Sequence, residues 1–419
     1  MAIRIPVTTR FEGRSYALIF CWLFGSGCSL AWNNMLTIAS YYAYLFPLSR
    51  YHPSRIPTII YQSFAIGALS VLVYKEASLN TRRRNLFGYG LFSLGSLAIL
   101  VLDLATSGRG GIGSFIGVCI ISAVFGLADA HVLGGMIGDL SLMAPEFVQS
   151  FLAGLAASGA LTSGLRLVTK VAFKDSRNGL RKEAMLFFAI SVIFELLCVI
   201  LYAYVFPKLV IVKFYRAQAV AQGSKTVSAD LVAGGIQELP TRQAEEEPII
   251  LDHRFSNKVL FLLNIDYGIS LFLVYLLTFS IFPGVLSKDS GKHSLGDWYP
   301  LMLIAVFNVS DLVGRYVPLV KKLKMELGIG LMITSFARFL LVPAFYYTAR
   351  YGNQGWMIFL TSVLGSSNGY LTVCILTVAP MGYSAPERNG LGNILVLCLS
   401  GGMFAGVMCD WLWFIGKGW

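Results

Sequence analysis

The stretch FNVSDLVGRYVP, residues 307–318, decides how the chain is read, because it sets an acid and a guanidinium inside a long apolar run. Asn308, Asp311 and Arg315 are spaced i, i+3 and i+7, which puts all three on one face of a helix. In a helix that crosses a bilayer, each charge at the centre costs on the order of 2.5–3.5 kcal/mol before partners are counted. That face must therefore turn inward, towards other helices or water, and the chain must build a bundle around it.

Composition agrees with a lipid solvent. The 419 residues are 56% hydrophobic, with 42 glycines besides, and only 13% charged, against about a quarter charged in a soluble domain. Residues 17–39 are too long for the core of a cleaved signal peptide and have no small-residue cleavage site behind them, so they are expected to remain as a helix in the membrane. Runs able to cross about 30 Å of hydrocarbon follow at 57–74, 86–104, 113–136, 147–168, 184–206, 258–282, 298–318, 327–348, 355–379 and 391–414. The expected fold class is an all-α polytopic membrane protein of about eleven spans, helical because unpaired backbone groups are not tolerated in lipid.

Residues 208–257 break the pattern. AQGSKTVSAD and GGIQELPTRQAEEEP read as a flexible, mostly polar linker, with Ser224, Thr226 and Ser228 as exposed acceptors for modification. The linker divides an N-terminal six-helix half, residues 1–207, from a C-terminal five-helix half, residues 258–419. Two halves about a central loop are the arrangement of secondary carriers that rock around a midplane site.

Lys and Arg in the connections set the expected orientation. With the N-terminus cytoplasmic, the inside receives Arg4, Arg10, Arg14, Lys75, Arg82 to Arg84, Lys321, Lys322, Lys324 and the central loop. Lys170, Lys174, Arg177, Arg181 and Lys182 run against the rule and would lie outside. An odd number of spans then leaves the C-terminus extracellular. The net charge of +11 is explained by loops meeting anionic headgroups rather than nucleic acid. The seven cysteines lie in or beside apolar runs without a CxxC pair, and with four scattered histidines they outline no metal site. No GxSxG, HExxH or P-loop pattern is present, which argues against a hydrolase or an ATP-driven pump; the expectation is no enzyme, no cofactor and no obligate protein partner.

Two readings fit Asp311 and Arg315. One is a salt bridge that fixes helix packing, or an Arg315 that snorkels to the interface beside Lys321 and Lys322. The other is a polar substrate held on this face. Further polar groups could share its cavity: Trp32 and Asn33 in span 1, Asp129 and His131 in span 4, and Ser366, Ser367 and Asn368 in span 10, where Gly369 would permit a bend. Trp32 is otherwise an anchor or packing residue and His131 a satisfied buried histidine; Arg338 reads as structural. Gly134 and Gly138, with the small residues of span 5, allow close helix approach.

AWNN at 31–34, AP at 144–145, FNVSDLVGR at 307–315, ARFLLVP at 337–343 and RNGLGN at 388–393 resemble the equilibrative nucleoside transporter family, most similar to its plant members. The resemblance covers nearly the whole chain and implies a fold like the major-facilitator carriers, with nucleosides moved by alternating access. It assigns substrate handling to Asp311, Arg315 and Trp32. Where animal members carry a substrate-contacting glutamine in the fourth span, this chain has Ala128, beside Asp129. Plant members are similar to proton-coupled carriers, so the expectation is symport with a proton. Asp129 is the favoured coupling group, Asp311 the competitor, and Glu195 and Asp266 further candidates. The expected pose stacks the base on Trp32, with Asn33 and Asn308 nearby and the ribose on Asp311 and Arg315. The plasma membrane is the expected location, the vacuolar membrane the alternative. Competing readings are a purely facilitative nucleoside or nucleobase carrier, and a membrane sensor without flux.

Overall fold

A computed structural model describes residues 12–47, 51–174, 176, 178–235, 254–282, 296–351 and 354–410. Arg4, Arg10 and Arg177 of the charge pattern, residues 236–253 of the linker, and residues 411–419 with the C-terminus lie outside this set.

The first six spans are α1 (Arg14–Thr37), followed by the short α2 (Ala39–Leu45), then α3 (Ile56–Tyr74), α4 (Thr81–Ala105), α5 (Ile112–Leu140), α6 (Pro145–Ala172) and α7 (Gly179–Ile200). α7 continues through two tighter and wider turns to Lys208. The last five are the pair α10 (Asn257–Leu263) and α11 (Ile265–Ile281), α12 (Tyr299–Tyr316), the pair α13 (Gly328–Ala337) and α14 (Leu341–Tyr351), α15 (Gln354–Val378) and α16 (Ala385–Asp410). Ten helices among the described residues are long and apolar enough to cross a membrane, and α10 with α11, bent by 78°, supplies an eleventh. The bend falls at Asn264, whose amide donates to the Leu260 carbonyl and the Tyr383 hydroxyl and so replaces helical hydrogen bonds lost there.

Local sequence explains where the spans begin. Pro145 starts α6, where its missing N–H leaves no helical bond unmade, and the Asn80 side chain accepts from the Arg83 amide to cap α4. Glycine sets the tightest crossings: a Cβ at Gly25 of α1 would collide with the Phe151 carbonyl of α6, and one at Gly314 of α12 with the Ser366 carbonyl of α15. Gly369 serves the same crossing, facing the Asp311 carbonyl, while α15 runs on without a break; close approach, not a bend, is its use.

The linker departs from its composition. Val210–Ala221 and Ser228–Ala233 form helices, α8 and α9, at the bundle end that carries the start of α1. α8 buries one face at helical spacing, the apolar Ile211, Val212 and Ala219 together with the ion-paired Arg216, which a fifty-residue average conceals. Ser224 and Thr226 are buried as well, so of the three expected acceptors Ser228 alone is exposed.

The same end joins the two halves by side chains. Arg84 donates to Asn393 (2.8 Å) and the Ala130 carbonyl, and Glu76 accepts from Arg254 (2.6 Å) and Asn389 (2.9 Å). Asn257 donates to the Val73 carbonyl, and Gln222 accepts from the Ala385 amide. Arg84, expected to mark a headgroup interface, is instead 6% exposed, because Gly134 of α5 leaves room for its guanidinium against Asn393. The RNGLGN stretch thus forms this seam, with Asn389 and Asn393 one turn apart on α16.

Candidate functional site

Between the halves lies a cavity of about 930 Å³ of empty space, its mouth included. α1 contributes Trp32 and Asn33, α3 Tyr61 and Gln62, α5 Asp129, and α6 Gly159; from the other half come Tyr275 and Thr278 of α11, Asn308, Asp311 and Arg315 of α12, and Asn368 of α15. Leu36, Phe282 and Phe307 also line it. A second cavity of about 430 Å³, around Tyr41, Tyr42 and Asp103, lies within the first half and cannot be opened and closed by movement between halves.

The face read from residues 307–318 does turn inward. Asp311 accepts from Arg315 (Nε, 3.1 Å; Nη2, 3.0 Å) and from Asn368 (2.8 Å), so its charge is paired and hydrogen-bonded. Arg315 also donates to the Leu152 carbonyl of α6 at 2.5 Å, and Gln149 of α6 donates to the Arg315 carbonyl at 3.0 Å. At 5% exposure Arg315 does not snorkel: it ties this face of α12 to the opposite half. Asn308, one turn before Asp311, donates across to the Gly159 carbonyl and Ser163.

The opposite wall is aromatic and acidic. Trp32 and Tyr61 stack with ring centroids 4.0 Å apart, so one face of the indole is already covered. Asn33 donates to Ser158 of α6 at 2.9 Å. Asp129 lines the cavity, with the Cys28 thiol directed at it from 3.7 Å. His131, two residues on, points elsewhere: its Nδ1 meets the Leu127 carbonyl and its ring packs on Phe87.

Other expectations separate at this point. Glu195 is fully buried within the first half beyond Cys28, and Asp266 sits by the α10–α11 bend beside Gly328; neither lines the cavity. Asn368 joins the site, whereas Ser367 accepts from Arg338. Arg338 fills its structural role by also donating to the carbonyls of Val274 and Leu364 and to Thr278. Tyr61, Gln62, Tyr275 and Thr278 escaped the sequence reading, because polar residues of such ordinary type in apolar helices mark no site until the helices are assembled. His, Cys, Asp and Glu side chains form no group of three able to hold a metal among the described residues.

A family model described as nucleoside transporter matches residues 116–415. Equilibrative nucleotide transporter 2 of Arabidopsis thaliana is 72% identical over 99% of this chain and 99% of its own length. Equilibrative nucleotide transporter 3 of the same plant is 58% identical over 97% and 96%. Among solved structures, a proton:xylose symporter of the major facilitator superfamily covers 98% of this chain and 89% of its own, with a TM-score of 0.59 at 14% identity. A bacterial homologue of the iron transporter ferroportin in an outward-facing state covers 95% and 91%, with a TM-score of 0.57 at 17% identity. At those identities the likeness is one of fold, and it is the fold of two-half carriers. An inter-half cavity, eleven spans and full-length kinship lead to one conclusion: the chain belongs to the nucleoside transporter family of multi-pass membrane carriers, with a major-facilitator fold.

Proposed function

We propose that the chain carries purine and pyrimidine nucleosides, adenosine and uridine among them, by alternating access and together with a proton. The observation that carries this reading is the shape of the cavity wall: a flat aromatic pair, Trp32 and Tyr61, faces a charge pair, Asp311 and Arg315. A nucleoside is built the same way, with a planar base at one end and vicinal hydroxyls at the other. The base lies against the uncovered side of the Trp32–Tyr61 pair. Ribose hydroxyls donate to Asp311 and accept from Arg315. Taking up those bonds competes with the Arg315–Leu152 contact, which gives the substrate a differential grip on the two arrangements of the halves.

Proton coupling falls to Asp129. Asp311 is already bonded to Arg315 and Asn368, whereas Asp129 faces Cys28 of α1 and Tyr61 of α3, with Glu195 beyond Cys28 and the Asp311–Arg315 pair across the cavity. Asp129 lines the cavity and forms no ion pair among the described residues, which leaves it open to exchange a proton there. With the Lys and Arg bias of the loops, the closed seam is cytoplasmic and the cavity opens outward, in the plasma membrane.

The test is labelled adenosine and uridine uptake in cells lacking their own nucleoside carriers, at acidic and neutral external pH, with and without a protonophore. Saturable uptake that is faster at acidic pH and collapses with the protonophore is expected. In an Asp129→Asn variant, uptake is expected to become indifferent to the gradient; full gradient dependence there would overturn the Asp129 assignment. Saturable uptake by the unaltered protein without gradient dependence would leave a facilitative carrier. Absence of uptake, with the protein at the cell surface, would favour a sensor.

A further inference from the structure

One amide on the cavity wall is uncommitted. Gln62 of α3 lines the cavity at 1% exposure, and its Oε1 has no hydrogen-bond partner among the described residues. Buried amide oxygens are rarely left so, and where one is, a ligand or water is the usual missing partner. Its neighbours are already engaged. Asn33 bonds Ser158, Asn308 bonds Gly159 and Ser163, and Asn368 bridges Thr278 and Asp311.

The position of the amide matters as much as its free acceptor. Gln62 follows Tyr61, whose ring stacks on Trp32, and it shares the wall with Asp129, opposite the Asp311–Arg315 pair. A planar ligand lying on the aromatic pair would turn its edge towards this amide. A primary amide offers one acceptor and a donor side by side, the pattern that meets an exocyclic amino group with an adjacent ring nitrogen.

We propose that Gln62 reads the base: its unpaired Oε1 accepts an N–H from the exocyclic amino group of an adenine or cytosine ring. This rests on the nucleoside reading above and adds a preference to it. A nucleoside with that amino group binds more tightly than an analogue with no N–H on the same edge, because the amide oxygen then stays buried and unpaired.

The experiment is a cycle between protein and ligand. Uptake constants for adenosine and for purine riboside, which lacks the 6-amino group, are compared in the unaltered protein and in Gln62→Leu and Gln62→Met, with surface abundance and thermal unfolding measured for each. The unaltered protein is expected to favour adenosine roughly 5- to 20-fold, and both variants to bring the ratio close to 1, chiefly through weaker adenosine. A purely structural role would weaken both ligands alike and leave the ratio. An unchanged ratio in a folded variant overturns the assignment, as does an unaltered protein that takes both ribosides equally while transporting them saturably. Should the unaltered protein take up no riboside at all, the carrier reading itself fails, and the assignment with it.

Discussion

The closed end of the bundle and the cavity use the same residue types to opposite purposes. At the closed end Arg216 of α8 forms paired bonds to Asp139 of α5 and a 3.6 Å ion pair with Asp230 of α9, which Arg82 of α4 also approaches. Burial opposes the Arg216 charge, yet the two carboxylates hold its pKa above the ordinary value. Here charge fixes helices to one another. In the cavity, Asp311 and Arg315 are also paired, but they border open space and reach across to the other half through a backbone carbonyl. The difference teaches that a buried ion pair can serve a ligand only where its remaining hydrogen-bonding capacity faces open space, as it does for Asp311 and Arg315.

The largest effect should come from breaking the fixed pair. Arg216→Met leaves Asp139 buried without its cation and Asp230 with only Arg82, a change expected to cost about 3–5 kcal/mol and to lower the unfolding temperature in detergent. Pairing it with Asp139→Asn should recover part of that loss; no recovery would mean the pair is not what holds α8. In the cavity the loss should appear in transport rather than stability. Arg315→Lys keeps a charge but loses the fork that serves Asp311 and Leu152 together, so saturable uptake should fall by roughly 30-fold or more with normal surface abundance. Equal loss of folding and uptake would move Arg315 to the structural class with Arg338. The smallest effect is predicted at the seam itself. Asn393→Ala removes one bond to Arg84, and a cysteine introduced on the closed side of the cavity should become about 3- to 10-fold more reactive towards a polar thiol reagent as the closed arrangement loses population.

Much of this architecture was legible beforehand. The spans were found by their length and apolarity, and the shared face of Asn308, Asp311 and Arg315 followed from helical spacing. α8 was missed for the reason that it is found in no hydropathy profile: twelve residues are too short to cross lipid and were averaged into polar surroundings. The RRR run reads as an interface mark for all of Arg82, Arg83 and Arg84, yet only the third of them meets the glycine gap in α5.

The sequence by itself determined the solvent of the protein, its count of spans and the inward turn of the charged face, since these follow from local periodicity and the cost of charge in hydrocarbon. Tertiary structure alone decided the rest. Arg84 meets Asn393 across 309 residues, Trp32 meets Tyr61, and the Gln62 Oε1 on the cavity wall has no partner among the described residues. Such facts depend on which faces of distant helices come together, and no spacing within one helix encodes the neighbour that another helix will bring.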